Sequence, residues 1–264
     1  LTSLNFYECT SLEALPESIG SLTGVTSIDL SHCEALTSLP DGIGQMTGLK
    51  KLTMPYTGLT QLPAVISTLS GLEELSLTGA SGKSGIQGVA ADFFSGLTKL
   101  KKLEASYNSF TGNLSWLKNL SALQTLRMEN NQLSGEINLG EFSPALTDVY
   151  LANNQLEGTL KGISTMTKLR NLYINNNLLS GTLPAELGDC TTLRYLILND
   201  NNITGTIPVE LAKMNLGYSG LKLINNRMTG EIPAEVLSSA VWKKLYPETN
   251  IYKQQDGYGF TNVP

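Results

Sequence analysis

Residues 169–190, "LRNLYINNNLLSGTLPAELGDC", contain the pattern that decides the fold of this chain. Leu169, Leu172 and Ile174 are spaced to point inward from one short strand and the bend before it. Asn171 and Tyr173 alternate with them and must then face outward. After the strand come three asparagines, a Gly and a Leu-Pro, and then an apolar spacing that predicts one short helical or 3₁₀ turn. Such a unit buries its apolar residues only by stacking on similar units.

The same pattern recurs along most of the chain. Successive starts such as 123, 146 and 169 are 23 residues apart, and self-similarity at such a period is typical of a solenoid. We therefore predict about ten stacked coils over residues 1–239. The coils start at Leu1, Val25, Leu49, Leu72, Leu100, Leu123, Leu146, Leu169, Leu193 and Tyr218.

The last position of the pattern needs a polar side chain. Where each strand ends the chain turns inward, so backbone N–H and C=O groups lose water and need another partner. Asn supplies both donors and an acceptor, which predicts a structural ladder with one rung per coil. The ladder residues are Cys9, Cys33, Asn108, Asn131, Asn154, Asn177, Asn201 and Asn226. The two thiols act as small apolar groups, and we favour free thiols over a disulfide. Thr57 and Ala80 interrupt the ladder, which predicts a less regular stack there.

The LxxLxLxxN pattern resembles that of the leucine-rich repeat family. Later coils, such as "ITGTIPVELAKM" at 203–214, resemble the LxGxIPxxL subtype best known from plant receptors, whereas "LEALPESIGSL" at 12–22 resembles bacterial and animal coils. The resemblance implies an α/β solenoid that is curved and right-handed. A parallel sheet would line its concave face, and short helical, 3₁₀ or irregular segments would line its convex face.

Residues 240–264 leave the pattern and predict a terminal cap, because an end coil would otherwise expose its apolar rows. The capping candidates are Trp242, Leu245, Tyr246, Ile251, Tyr252, Tyr258 and Phe260. This tail and the mixed coil types resemble surface leucine-rich repeat proteins of Bacteroidetes bacteria, which implies an exported, surface-exposed protein. No equivalent cap precedes the first coil, so we expect a preceding domain or a frayed end, and a targeting signal that was removed from a longer protein.

Two insertions interrupt the regular spacing. In the fourth coil, "GASGKS" at 79–84 suggests a phosphate-binding loop, but the required first glycine would fall at Leu77. We predict a flexible loop there, with a lip beside the concave face as the functional alternative. "KMNLGYSG" at 213–220 precedes the tenth coil and is also interpreted as a loop.

The titratable residues do not favour catalysis. His32 is the one histidine and has no Ser or Cys partner with a role outside the repeat, and the carboxylates are spread along the coils. We therefore predict no enzyme activity, no metal and no cofactor. The net charge of −5 and the scattered Lys and Arg disfavour nucleic acid, and no apolar run is long enough to insert into a membrane.

The outward strand positions are free to vary and carry the candidate site. Tyr and Arg are frequent at binding hot spots, and coils six to nine collect both. The predicted ligand-binding patch consists of Arg127, Asp148, Tyr150, Arg170, Asn171, Tyr173, Arg194, Tyr195 and Ile197. The alternative is that the tyrosines only pack as cross-strand neighbours. A second group, Lys50, Lys51, Tyr56, Lys101, Lys102 and Tyr107, alternates with Glu73 and Glu74 and indicates solvation and local ion pairing.

These features predict a non-enzymatic module that binds a protein or peptide through the concave patch. One alternative is carbohydrate capture by the same tyrosines, which would need a local polar cleft. Another is a structural spacer that presents a further domain. A plant-type receptor ectodomain is also suggested by the LxGxIP coils, and the sequons at Asn113, Asn119 and Asn202 would matter there.

Overall fold

The computed structural model describes residues 1–83 and 85–263, which form two compact units. The first unit is Leu1–Leu133 and the second begins at Ser134. Each is a stack of the predicted coils, with a parallel sheet on one side and short helices on the other. The α/β class that the repeat pattern predicted is therefore confirmed. Within the described residues, no helix is both long enough and apolar enough to cross a bilayer.

The first unit builds its sheet from one three-residue strand per coil. The strands are β1 (Ser3–Asn5), β2 (Ser27–Asp29), β3 (Lys51–Thr53), β4 (Glu74–Ser76), β6 (Lys102–Glu104) and β8 (Thr125–Arg127). Neighbours pair in parallel without a register shift, so that Leu52 lies beside Leu75 and Leu75 beside Leu103. These central residues are buried, while the residues on either side face outward. We call this outward surface the sheet face.

Short helices and a second set of strands complete the first unit. The 3₁₀ helices are Glu17–Ser21, Asp41–Gln45, Ala64–Thr68 and Ser115–Asn119, and α1 is Ala90–Phe94. A proline precedes each of the first three, which suits the start of a helical turn because its φ is fixed. The additional strands are β5 (Gln87–Val89) and β7 (Ser109–Gly112), and β9 (Gln132–Ile137) contains the boundary between the two units. The repeat pattern predicted the short helices but not these strands.

The second unit has the same construction. Its sheet-face strands are β10 (Asp148–Tyr150), β12 (Asn171–Tyr173), β13 (Tyr195–Ile197) and β15 (Leu221–Lys222), paired in that order. Its other strands are β11 (Gln155–Gly158), β14 (Thr204–Gly205), β16 (Arg227–Gly230) and β17 (Gly259–Phe260). Its 3₁₀ helices are Leu139–Glu141, Ile163–Thr165, Ala185–Asp189, Val209–Lys213 and Trp242–Lys244, and its α-helices are α2 (Ala234–Ser238) and α3 (Pro247–Asn250). Gly181, which precedes a Leu-Pro, has a positive φ of 74° and makes the bend there possible.

The asparagine ladder forms as predicted. The Asn177 side chain accepts a hydrogen bond from the Leu156 N–H at 2.9 Å and donates to the Leu151 carbonyl of the preceding coil at 3.0 Å. Asn201 repeats both contacts one coil further on, with Leu179 and Ile174. Equivalent bonds at Asn108, Asn131 and Asn226 satisfy buried backbone groups in the same way. Asn154 donates to carbonyls of its own coil.

The cysteine positions divide into two cases. Cys33 is buried and its thiol donates to the Phe6 carbonyl at 3.1 Å, as expected of a ladder residue. Cys9 is exposed, so the prediction of a buried ladder thiol is wrong there. Cys9 belongs to the first described coil, and no strand before β1 is described that could supply the acceptor carbonyl. Both thiols are free, which agrees with the sequence interpretation.

The tail packs on the last coil of the second unit. The Leu223 and Ile224 N–H groups both donate to the Asn250 carbonyl, and β17 pairs in parallel with β16. Trp242, Leu245, Ile251 and Phe260 are buried, as a cap requires, whereas Tyr246 and Tyr258 are exposed. The tail therefore shields the apolar row of the last coil. Only some of the predicted capping residues are buried and contribute to this.

Candidate binding site on the sheet face of the second unit

Three strands of the second unit bring the predicted tyrosines together. Tyr150 on β10 lies beside Tyr173 on β12 in the strand register, and Tyr195 on β13 lies beside Asn171, two residues from Tyr173. The Tyr150 and Tyr173 rings stack with centroids 4.8 Å apart and planes 19° apart. The Tyr173 and Tyr195 rings stack at 6.4 Å and 27°. We call this stack of three rings the tyrosine patch.

The backbone explains the spacing of the rings. Val149, Leu172 and Leu196 are buried between the outward residues and fix each strand in the core. Neighbouring strands lie roughly 4.8 Å apart, which matches the separation of the first two rings. The three rings are half-buried by one another and keep their outer surfaces accessible. The tyrosines therefore do pack as cross-strand neighbours, as the alternative interpretation predicted. The packed rings still leave an aromatic surface accessible to a partner.

The central ring titrates less readily than a free tyrosine. Burial raises the pKa of the Tyr173 phenol because the phenolate loses hydration, and negative charge on Tyr150 and Tyr195 would raise it further. The phenol consequently stays protonated at neutral pH. It offers a partner a hydroxyl group that both donates and accepts hydrogen bonds.

A polar strip borders the patch. Asn171 donates its side-chain amide to Oδ1 of Asp148, and the Thr147 hydroxyl donates to Oδ2 of the same carboxylate at 2.6 Å. Asp148 and Asn171 are half-buried beside the rings. The carboxylate is therefore held in one orientation by two neighbours, and it supplies fixed acceptor oxygens at the edge of the aromatic surface.

The two predicted arginines have different environments. Arg170 is exposed at the start of β12. Arg194 is half-buried, and its Nη1 donates to the carbonyls of Thr191, Leu193 and Asn215 at 3.0 to 3.1 Å. Arg194 thus ties the loop at 213–220 to the start of the ninth coil. Arg170 is the better candidate for contact with a ligand.

Two members of the predicted patch do not fit it as expected. Ile197 is only 6% exposed, so the expectation that it presents an apolar contact surface is wrong. It lies between Tyr173 and Lys222 in the strand register, where its small aliphatic side chain is covered. Arg127 lies on β8 in the first unit, where its Nε is 3.9 Å from Oε1 of Glu104. The candidate site on the second unit therefore does not include Ile197 or Arg127.

The sequence interpretation missed the contribution of the loop at 213–220. Gly217 packs so closely against Tyr195 that an added Cβ atom would lie 3.0 Å from the ring carbon Cζ. Asn215 supplies one of the carbonyls that hold Arg194. The loop thus borders the tyrosine patch. The two extra glycines of this insertion were the signal for a close backbone approach.

The charged group on the sheet face of the first unit forms ion pairs. Glu73 lies between two lysines, 2.6 Å from Nζ of Lys101 and 3.8 Å from that of Lys50. Lys51 pairs with Glu74 at 3.0 Å. The hydrogen bond from Lys101, together with its positive charge, lowers the pKa of Glu73. The prediction of local pairing is confirmed, and exposed pairs of this kind add little stability.

Metal coordination is not suggested by the described residues, since no three His, Cys, Asp or Glu side chains converge there. A cavity of about 350 Å³ does open in the first unit, beside the interrupted ladder. Its lining includes Tyr56, Thr57 and Ala80. Both ladder breaks are visible in the sequence, but the cavity beside them was not predicted.

The stacked coils and their ladder define a repeat solenoid, and the sequence comparison names its family. Residues 3–175 match the family described as "Leucine-rich repeat region", and residues 168–190 and 192–214 each match a single "Leucine Rich Repeat". The chain belongs to the leucine-rich repeat family. A comparison with curated protein sequences gave no match.

Solved structures with the same fold come from plants and bacteria. A TDR receptor aligns with a TM-score of 0.74 and 28% identity over 84% of this chain and 38% of its own. The Arabidopsis receptor kinase HAESA, in complex with the peptide hormone IDA and the co-receptor SERK1, aligns at 0.70 and 26% over 89% and 39%. A leucine-rich repeat protein of Leptospira interrogans aligns at 0.63 and 26% over 96% and 66%. The chain thus spans about two fifths of the length of each of these two receptors.

Proposed function

We propose that this chain is a binding module that recognises a protein or peptide through the tyrosine patch, together with Asp148 and Asn171 at its edge and the exposed Arg170. The observation that carries the proposal is the stack of three half-exposed tyrosine rings on adjacent strands. Stacking holds the rings in place before a ligand arrives, so little side-chain freedom is lost on binding.

The chemistry of the patch suits a polypeptide partner. Tyrosine rings bury a large apolar area and keep a hydroxyl for hydrogen bonding, which is why tyrosine is frequent at protein interfaces. The Asp148 carboxylate and the Asn171 amide can pair with backbone or side-chain groups at the rim of such an interface. Arg170 adds a cation that suits a carboxylate of the partner.

The shape of the surface favours a polypeptide over a sugar. A glycan site needs a cleft that surrounds the sugar with polar groups, whereas a protein interface tolerates a broad patch. The cavities described in the two units are lined by residues outside the tyrosine patch. The patch is formed by outward residues of neighbouring strands, and we therefore place the carbohydrate alternative second, as an outcome of the test below.

Similar solved structures also support a polypeptide partner. The HAESA structure is a complex with the peptide hormone IDA and the co-receptor SERK1, and this likeness supports a polypeptide partner. We also propose an exported location for this chain, as its resemblance to surface leucine-rich repeat proteins implies. The absence of enzyme activity and a Bacteroidetes origin stay predictions.

The experiment is a selection from a phage-displayed peptide library, run in parallel with a glycan array. The variant combines Tyr150→Ser, Tyr173→Ser and Tyr195→Ser. The matched control is Tyr258→Ser, which removes an exposed tyrosine of the capping tail in the same unit. Circular dichroism first establishes that each protein is folded.

We expect enriched peptides to bind the wild type and the control equally. The triple variant should bind them at least about tenfold more weakly, which corresponds to about 1.4 kcal/mol. Peptides that bind the triple variant as tightly as the wild type would refute the location of the site. Glycan hits that the triple variant loses, without peptide hits, would replace the polypeptide with a sugar.

A further inference from the structure

The first unit contains a second candidate site, which is independent of the tyrosine patch. Its volume of about 350 Å³ falls within the range of small-molecule sites, roughly 300–1,000 Å³. Parts of the second to fifth coils line it. Side chains that carry its chemistry are those of His32, Glu34, Tyr56, Thr57 and Lys83.

The cavity lies where the asparagine ladder is interrupted. Thr57 occupies the ladder position of the third coil, and its hydroxyl donates to the Met54 carbonyl of the same coil instead of reaching the preceding one. Ala80 occupies the position in the fourth coil and has no polar side chain. Two consecutive rungs are therefore missing, and the space beside them is not filled by amide groups.

An insertion in the fourth coil forms another part of the wall. In a regular coil the residue two positions after the ladder donates to the next asparagine, as the Phe110 N–H does to Asn131. In the fourth coil Ile86 makes this bond to Asn108, although regular spacing would place Gly82 there. The fourth coil therefore has four additional residues between its ladder position and this bond.

Glycines seat the two ends of this loop closely on the fifth coil. A Cβ atom on Gly79 would lie 2.0 Å from the Tyr107 carbonyl oxygen, and one on Gly85 would lie 2.6 Å from the Cα of Asn108. Both ends are therefore fixed by close backbone contact. Ser84, which belongs to the predicted loop, lies outside the described residues.

The cavity combines an aromatic wall with one charge of each sign. The Tyr56 ring packs against the His32 ring at 4.8 Å with planes 32° apart, and Tyr56 remains 42% exposed. Glu34 and Lys83 approach each other to 3.6 Å, and both side chains are mostly exposed. An exposed pair of this kind is weak and opens at little cost.

We propose that this cavity binds a free aromatic amino acid. The ring of the ligand would stack on Tyr56, its ammonium group would pair with Glu34 and its carboxylate with Lys83. When a zwitterion binds, the single weak ion pair between Glu34 and Lys83 is replaced by two ion pairs with the ligand. Neither side chain is then left without an opposite charge. A ligand that carries only one of its two charges would leave either Glu34 or Lys83 without its partner.

Isothermal titration calorimetry with L-phenylalanine, L-tyrosine and L-tryptophan tests this proposal. The blocked ligands are the N-acetyl and the amide derivatives of whichever amino acid binds, and leucine tests the need for a ring. The variants are Tyr56→Ser and Lys83→Glu. Tyr107→Ser is the matched control, because Tyr107 has nearly the same exposure, 41%, and the same left-handed backbone, but does not line the cavity.

We expect saturable binding of at least one aromatic amino acid. Tyr56→Ser and Lys83→Glu should each weaken it about tenfold, while Tyr107→Ser leaves it unchanged. Both blocked ligands and leucine should bind several-fold more weakly than the free aromatic amino acid. The proposal is overturned if no aromatic amino acid binds at millimolar concentration, if Tyr56→Ser binds like the wild type, or if a blocked ligand binds as well as the zwitterion. Circular dichroism of all variants excludes misfolding as the cause of a loss.

Discussion

Replacing Asn177 with alanine removes one rung of the ladder and destabilises the second unit. The side chain of Asn177 accepts a hydrogen bond from the Leu156 N–H and donates to the carbonyls of Leu151, Ile174 and Asn175. The carbonyl groups keep other donors after the substitution. Asn154 still reaches Leu151, for example, and Asn201 still reaches Ile174.

The Leu156 N–H is the group that the substitution leaves without its acceptor. It is completely buried, and an orphaned buried donor costs about 1–3 kcal/mol. The lost bonds to carbonyls that retain a partner add less than about 1 kcal/mol each. We therefore expect Asn177→Ala to lower the free energy of unfolding by about 3 kcal/mol. Alanine adds no strain of its own, because it is smaller than asparagine.

Urea unfolding followed by circular dichroism measures this loss, with Asn175→Ala as the matched control. Asn175 lies in the same coil and contributes its backbone carbonyl to the ladder, which alanine retains. We expect the control to lose less than about 1 kcal/mol, as is usual for substitutions away from buried networks. Equal losses in the two variants, or a loss below about 1 kcal/mol in Asn177→Ala, would refute the structural role of the ladder.

Three further predictions concern individual ionisable groups. Native protein should react at Cys9 alone with a thiol reagent, because Cys33 and Cys190 are buried and burial raises the pKa of both thiols, that of Cys190 to about 11. Labelling of a second thiol would contradict this. In alkaline spectrophotometric titration, Tyr173→Phe should remove a component that ionises above pH 10. Because the pKa of Tyr173 is raised in the folded state, its contribution to stability is present below pH 10 and is lost as the pH rises through the folded-state pKa. If the component that ionises above pH 10 is unchanged in Tyr173→Phe, it does not belong to Tyr173. Glu73→Gln should lower the urea midpoint slightly at neutral pH. The difference from the wild type should vanish in about 1 M salt, and also as the pH falls through the lowered pKa of Glu73. A difference that persists in salt would exclude the ion pair with Lys101 as its cause.

The repeat pattern predicted the parts of the fold that depend on local periodicity. Inward residues such as Leu172, the ladder position of Asn177 and the short helix after each Leu-Pro follow from which groups must be buried and which must be paired. These requirements act within one coil and its neighbour, so they are visible in the spacing of the residues.

Other features depend on neighbours that spacing alone does not specify. Ile197 occupies an outward strand position and is nevertheless covered, while Cys9 occupies a ladder position and is nevertheless exposed. The site residues were predicted as a column of outward positions. The ring stacking, the clamp on Arg194 and the contact of Gly217 with Tyr195 required three-dimensional placement.

Site-specific photo-crosslinking tests the proposed binding surface most directly. A photoreactive amino acid replaces Arg170 beside the tyrosine patch or, as the control, Lys161 between β11 and the 3₁₀ helix Ile163–Thr165 of the same unit; both positions are exposed. The probe is the peptide most enriched in the phage selection. We predict a crosslinked product from position 170, and little from position 161. A product from position 161 alone, or from both positions in equal yield, would contradict recognition through the tyrosine patch.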